Sequence, residues 1–208
     1  MKPPIRVLIV EDHFLARIAL HGVLDSQPGF QIVAEAGAGA DAIRLFREHR
    51  PDVVIMDLKL IGLSGFEAIE AIRREFPVAR ILVLSNFQGS EDVYRAMRCG
   101  ARGYLTKDAD GGQLLEALRA VAAGGRFIPK SLESRMAERC PGTDITPREK
   151  DVLRLLAEGL GTAEIALQLQ IAEKTVRIHI GNLLEKLGAR DRTHALVIAL
   201  HRGIIHID

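Results

Sequence analysis

Four short apolar runs in this chain each end in a residue with a different chemistry to offer. Glu11-Asp12 follows Val7 to Val10, Asp57 follows Val53 to Met56, Ser85 follows Ile81 to Leu84, and Lys107 follows the weaker run Ala101 to Thr106. Three carboxylates gathered in one place repel one another and call for a cation. An all-oxygen set with room for water and phosphate suits Mg2+. Asp57, at the centre of such a cluster, can attack a phosphoryl donor while the metal and the Lys107 ammonium offset charge on the transferring group. The Ser85 hydroxyl can donate to the product. Taken singly, each residue has an ordinary explanation: Asp12 as a helix N-cap, Lys107 as a solvated amine, Ser85 as a turn residue. Those explanations do not account for their recurrence at successive strand ends. No glycine-rich phosphate loop of the nucleotide-binding kind is present.

A second set of residues lies near the C-terminus. Over 173–187, Val176, Ile180, Leu183 and Leu187 recur at helical spacing and mark a buried face. Lys174, Arg177, Ile178 and Gly181 share another side, because residues three and four apart are neighbours on a helix. Such a face suits the major groove of double-stranded DNA. Arg177 can take guanine or phosphate, Ile178 can meet a thymine methyl, and Lys174 and Thr175 near the helix start can reach phosphates. On periodicity alone, an amphipathic helix with a solvated charged face accounts for the same residues better.

The elements that must position these groups follow from the hydrophobic pattern. Val7 to Val10, Val53 to Met56 and Ile81 to Leu84 are apolar without alternation, as strands buried on both faces are. Weaker strand patterns cover 30–36 and 101–106, and helical patterns fall near 13–26, 39–49, 65–75, 90–99 and 110–123. Alternation of this kind predicts a doubly wound, five-stranded parallel sheet, an α/β fold whose chemistry gathers beyond the carboxyl ends of the strands. From about residue 125 the strand pattern stops. Gly125 to Asp144 reads as a linker with a short helix at 131–139, and four helices follow near 147–158, 162–169, 173–187 and 192–202. Thr146-Pro147-Arg148-Glu149 predicts a capping box with proline in the first turn. The division is then 1–124, a linker over 125–143, and a smaller all-α domain over 144–208.

Composition narrows the class without choosing a partner. Hydrophobic residues at 48% and charged residues at 26% fit a globular chain with a real core. No apolar run approaches the roughly 18–20 residues that span a bilayer, and Met1 to Val10 has no signal-peptide cleavage pattern, so a cytoplasmic protein with no membrane association is expected. Cys99 and Cys140 fit no metal spacing. Residues 144–208 hold nine basic and nine acidic side chains, so DNA binding must rest on where charge sits rather than on its sum.

With these residues in view, 5–124 resembles the receiver domain of response regulators, a flavodoxin-like fold. The resemblance implies that Glu11 and Asp12 hold Mg2+, that Asp57 is phosphorylated, and that the main-chain carbonyl of Lys59 is a further metal ligand. It also implies that Lys107 acts at the phosphate and that Ser85 and Tyr104 form a switch pair, the hydroxyl turning to the phosphate and the ring following inward. Ile145-Thr146-Pro147-Arg148-Glu149, Glu164-Ile165-Ala166 and Lys174 to Ile180, continued by Asn182, Leu184, Lys186 and Leu187, resemble the LuxR-type helix-turn-helix. Together the two regions look like the NarL/FixJ family. That implies a transcriptional regulator rather than an enzyme, phosphorylated by a sensor histidine kinase and binding DNA as a homodimer once phosphorylated.

The chain departs from the family pattern in four places. Ile61 replaces a proline four residues after Asp57, Gly161-Thr162-Ala163 replaces a stretch containing a lysine, Ala172 replaces a capping serine, and Gly181 stands inside the recognition helix. Losing the cap and placing glycine mid-helix each cost about 1 kcal/mol. Ile61 leaves the loop after Asp57 freer and bears on the lifetime of the phosphoryl group, and the other three departures predict weaker or unusual DNA binding with a shallow salt dependence. They also leave two other readings open: a DNA-binding regulator that ignores phosphorylation, and a protein-interaction switch with weakened DNA binding. Leu196, Ile198, Ala199 and Leu200 in the last helix offer a dimer surface or belong to the core.

Overall fold

The computed structural model describes residues 3–137 and 145–206. The rest of the expected linker, including the end of its helix at 138–139 and Cys140, lies outside the described residues. The chain divides into two compact units, 1–87 with 93–133 and 88–92 with 134–208.

In the first unit, β1 (Ile5–Val10), β2 (Phe30–Ala36), β3 (Val53–Met56), β4 (Ile81–Ser85) and β5 (Gly103–Thr106) form one parallel sheet in the order β2-β1-β3-β4-β5. Helices α1 (Phe14–Asp25), α2 (Gly39–His49), α3 (Gly65–Glu75), α4 (Ser90–Cys99) and α5 (Gly111–Ala122) alternate with the strands. All of β3 and β4 and the last four residues of β1 are buried, which explains why their sequences are apolar at every position. Side chains of one parity (Val7, Ile9, Val53, Ile55, Leu82, Leu84, Leu105) share a core with Leu20 and Leu24 of α1 and Leu114, Leu118 and Val121 of α5. Those of the other parity, among them Leu8, Val54, Met56 and Val83, are equally buried on the opposite face. The strand β5 starts two residues later than its pattern suggests. Gly100 leaves α4 at φ 111°, and Ala101 and Arg102 then form the approach, with the Arg102 N–H donating to the Ile81 carbonyl at 2.8 Å.

The strand order reverses at β1. Connections leave it in opposite directions, opening a crevice beyond the carboxyl ends of β1 and β3, the position where ligands bind in sheets of this kind. Glu11 and Asp57 are the residues that follow those two strands.

A short helix, α6 (Lys130–Ala137), occupies the described part of the linker, and the second unit is built on α7 (Pro147–Ala157), α8 (Thr162–Leu169), α9 (Glu173–Leu187) and α10 (Arg192–Arg202). The capping box forms: the Thr146 hydroxyl accepts from the Glu149 N–H at 3.2 Å, and Glu149 Oε2 accepts from the Thr146 N–H at 2.8 Å. Val152, Leu153, Leu156, Ile165, Val176, Ile180, Leu183 and Leu187 make one core with Ala195 and Ala199. Ala199 is fully buried and Leu196 and Ile198 pack against the core, so only Leu200 of the four expected residues is exposed, beside Val197. Among the described residues, no helix is long and apolar enough to cross a membrane.

Candidate functional site

The loop after β1 and the loop after β3 deliver their acids to the same rim. Glu11 is 1% exposed and Asp57 4%, an unusual depth for carboxylates, which are rarely buried unless paired. The pairing comes from Lys107, whose Nζ lies 2.7 Å from Glu11 Oε2 and 2.8 Å from Asp57 Oδ2. Burial alone would lower the Lys107 pKa. The hydrogen bonds and charges of Asp57 and Glu11 outweigh it and hold the ammonium above its ordinary value, so it stays protonated at any physiological pH. The other oxygen of Asp57 accepts from the Leu58 N–H at 2.6 Å and, more weakly, from the Lys59 N–H at 3.4 Å. Asp12 and His13 adjoin Glu11, one ligand atom from each of the three lying within 4.8 Å of the others.

This donor set fits Mg2+. Glu11, Asp12 and Asp57 bring three negative charges and Lys107 returns one, leaving two, the charge of a single hard dication that prefers carboxylate oxygen and water.

Ser85 is buried at the end of β4, and its Oγ accepts from the Phe87 N–H at 3.2 Å. The Tyr104 ring is fully buried, and its hydroxyl donates to the Phe87 carbonyl at 2.8 Å. Both residues therefore grip the main chain of Phe87, and the ring already occupies the inward position.

Two further residues shape this rim, and local spacing gave no sign of either. A Cβ on Gly65, the first residue of α3, would run into the carbonyl oxygen of Asp57, so helix and acceptor loop approach only because glycine stands there. Arg17 reaches back from α1 and donates through Nη1 to the carbonyls of Glu11 at 2.6 Å and Asp12 at 3.2 Å.

In the second unit, Lys174, Arg177, Ile178 and Gly181 are all exposed on α9, Ile178 to 53%, and Thr175 is half-buried beside them. The face anticipated from helical spacing is present. Arg177 meets Glu173 one turn earlier at 2.7 Å, an exposed contact worth only a few tenths of a kcal/mol and no bar to another partner. Other cations of this unit serve the fold. Arg148 donates to the Leu169 carbonyl at the end of α8, and Lys186 lies 2.7 Å from the buried Glu149. As anticipated, α9 begins at Ala172 without a side-chain cap.

The Response regulator receiver domain family matches residues 7–119, and Bacterial regulatory proteins, luxR family, matches 143–199. The chain belongs to the NarL/FixJ family of response regulators. It is 41% identical to the nitrate/nitrite response regulator protein NarP of Escherichia coli over 206 residues, covering 96% of each chain. It is 37% identical to the transcriptional regulatory protein LiaR of Bacillus subtilis, covering 96% of this chain and 98% of that one. Among solved structures, RcsB of Salmonella enterica serovar Typhimurium, bound to promoter P1flhDC in the presence of phosphomimetic BeF3-, resembles it with a TM-score of 0.71 and 26% identity, over 96% of this chain and 98% of that one. This response regulator therefore joins a receiver to a LuxR-type DNA-binding domain and serves phosphorylation-dependent transcription regulation in a two-component system.

Proposed function

We propose that Asp57 is the phosphoacceptor of this response regulator, with Mg2+ held by Glu11, Asp12, Asp57 and the main-chain carbonyl of Lys59. A sensor histidine kinase in the cytoplasm is the donor. The observation that carries this reading is the shared grip of one ammonium on two buried carboxylates at the sheet's switch point. A carboxylate oxygen of Asp57 attacks the phosphorus of a phosphohistidine, the P–N bond breaks, and the electron pair leaves with the imidazole. The metal, when bound, offsets charge on the transferring oxygens. The Leu58 and Lys59 N–H groups hold the other Asp57 oxygen, and Lys107, already within hydrogen-bond reach, can follow the phosphoryl group. Exposed Phe14, Leu15 and Ile18 on α1, directly after the acidic pair, supply apolar surface for a donor protein.

The output is proposed to run through Ser85 and Tyr104. If the Ser85 hydroxyl turns to the phosphoryl oxygens, it releases the Phe87 N–H, and the same residue's carbonyl is the one Tyr104 holds. The phosphorylated form acts as a homodimer on double-stranded DNA, reading it with Lys174, Thr175, Arg177, Ile178 and Gly181 of α9. The family membership and the promoter-bound RcsB relative support this part. The functional division proposed is receiver 1–124, linker 125–143 and DNA-binding domain 144–208.

The test is intact mass after incubation with acetyl phosphate and Mg2+. One phosphoryl group is expected on the unaltered protein and none on Asp57→Asn, and an unchanged mass in the unaltered protein sinks the reading. For the output, Lys174→Ala should weaken binding to all DNA sequences alike and lower the salt slope by about one.

A further inference from the structure

We infer that Arg17 is a positioning residue for the divalent-cation site: it fixes the turn that carries Glu11 and Asp12 and so sets how tightly the rim holds Mg2+. This rests on the metal site proposed above. The turn is short, running from the end of β1 at Val10 to the start of α1 at Phe14, and it must present two adjacent acids. On one side it is pinned by the Glu11 N–H, which donates to the Ala36 carbonyl of β2 at 2.9 Å. On the other, the carbonyls of Glu11 and Asp12 both accept from Arg17 Nη1, which closes the turn against α1. Main-chain carbonyls outside helix and ladder need such partners, and a planar guanidinium can serve two at once.

The counter-charge of Arg17 matters as much as its reach. Its Nε lies 3.7 Å from Glu35 Oε2 on β2, and the other oxygen of Glu35 lies 2.8 Å from His21 Nε2. Arg17 thus faces Glu35 and spends its hydrogen bonds on carbonyls, while the Glu11 carboxylate meets Lys107 and the His13 N–H at 3.0 Å and Asp12 Oδ1 meets His13 Nδ1 at 3.3 Å. Partners one step removed from a metal ordinarily govern its affinity by about 10- to 100-fold.

The two roles open to Arg17 predict opposite signs. As a mere nearby cation it repels Mg2+, and removing it strengthens binding. As a positioning residue, its removal weakens binding. The experiment is isothermal titration of the full-length protein with MgCl2, alongside the rate of phosphorylation by acetyl phosphate as a function of Mg2+. Arg17→Gln is expected to raise the Mg2+ Kd by about tenfold while the maximal rate at saturating Mg2+ falls less than about twofold. Arg17→Lys, which keeps the charge but has a single nitrogen that cannot hold Glu35 and both carbonyls together, should behave like the glutamine variant. Glu35→Gln, which removes the charge facing both Arg17 and His21 but leaves Arg17 in place, should raise Kd by about threefold and covers the case of an Arg17 variant that does not fold. An unchanged or lower Kd in folded Arg17→Gln, or full rescue by lysine, overturns the inference while leaving the metal site intact. Failure of the unaltered protein to bind Mg2+ overturns the metal site and the inference together.

Discussion

Each unit of this protein buries a carboxylate against a lysine, and the two pairs are built to opposite ends. In the second unit Glu149, 2% exposed, meets Lys186 at 2.7 Å through Oε2, and the same oxygen accepts from the N–H and hydroxyl of Thr146. One buried carboxylate meets a lysine here, and the pair ties the start of α7 to the end of α9. At the rim of the sheet, one lysine, Lys107, faces both Glu11 and Asp57, with Asp12 and His13 adjoining. Balance makes a brace, and imbalance makes a site, because an excess of buried negative charge stores affinity for a cation. Depth of burial does not separate the two; the charge sum does.

The comparison is most directly broken by removing each lysine in turn. Lys186→Met leaves Glu149 buried without its cation and should destabilise the second unit by about 3 kcal/mol, measured by urea unfolding, with no recovery on adding Mg2+. Lys107→Met, which leaves two buried carboxylates without theirs, should cost about as much in the presence of chelator, and millimolar Mg2+ should restore most of it. If both variants respond to Mg2+, or neither does, the distinction between brace and site is wrong.

Acid should also separate them. Burial would raise the Glu149 pKa, but hydrogen bonds from Lys186 and Thr146 outweigh it and hold the carboxyl below its ordinary 4.5. A depressed folded pKa contributes stability above the unfolded value, and that stability is lost as pH falls through the folded one. Unfolding midpoints followed from pH 6 down to pH 3 should therefore drop more steeply for the native protein than for Glu149→Gln. Equal slopes would mean the brace contributes nothing.

The smallest effect is on the exposed face of α9. A Cβ on Gly181 meets nothing within 4 Å, so Gly181→Ala should stabilise the second unit by about 0.5–1 kcal/mol, seen as a higher Tm. A loss of stability would show that the helix there depends on glycine for a reason its packing does not display.

Much of this architecture could be read along the chain. Uninterrupted apolar runs fixed β1, β3 and β4, and topology alone then brought Glu11, Asp57 and Lys107 to one rim. Thr146 and Glu149 announced α7 through a local rule. What stayed hidden depends on contacts between segments remote in sequence. Glu149 and Lys186 stand 37 residues apart, and nothing in either neighbourhood signals the other. Gly65 looks like any residue opening a helix until the carbonyl of Asp57 is placed against it. Spacing shows that the α10 face of Leu196, Ile198 and Ala199 is apolar, not how its burial is shared between this core and a second surface. The recognition helix lies between these cases: its outward face was legible, while the commitment of Arg148 and Lys186 to the fold was not.

The buried ring of Tyr104 gives this protein a built-in optical gauge. The chain has no tryptophan and only two tyrosines, so its near-ultraviolet absorption and emission come mainly from Tyr104 and Tyr94. Breaking the bond from the Tyr104 hydroxyl to Phe87 changes the surroundings of one of only two strong chromophores. With Tyr94→Phe to silence the other, difference spectroscopy can follow that one contact in real time, with no dye attached.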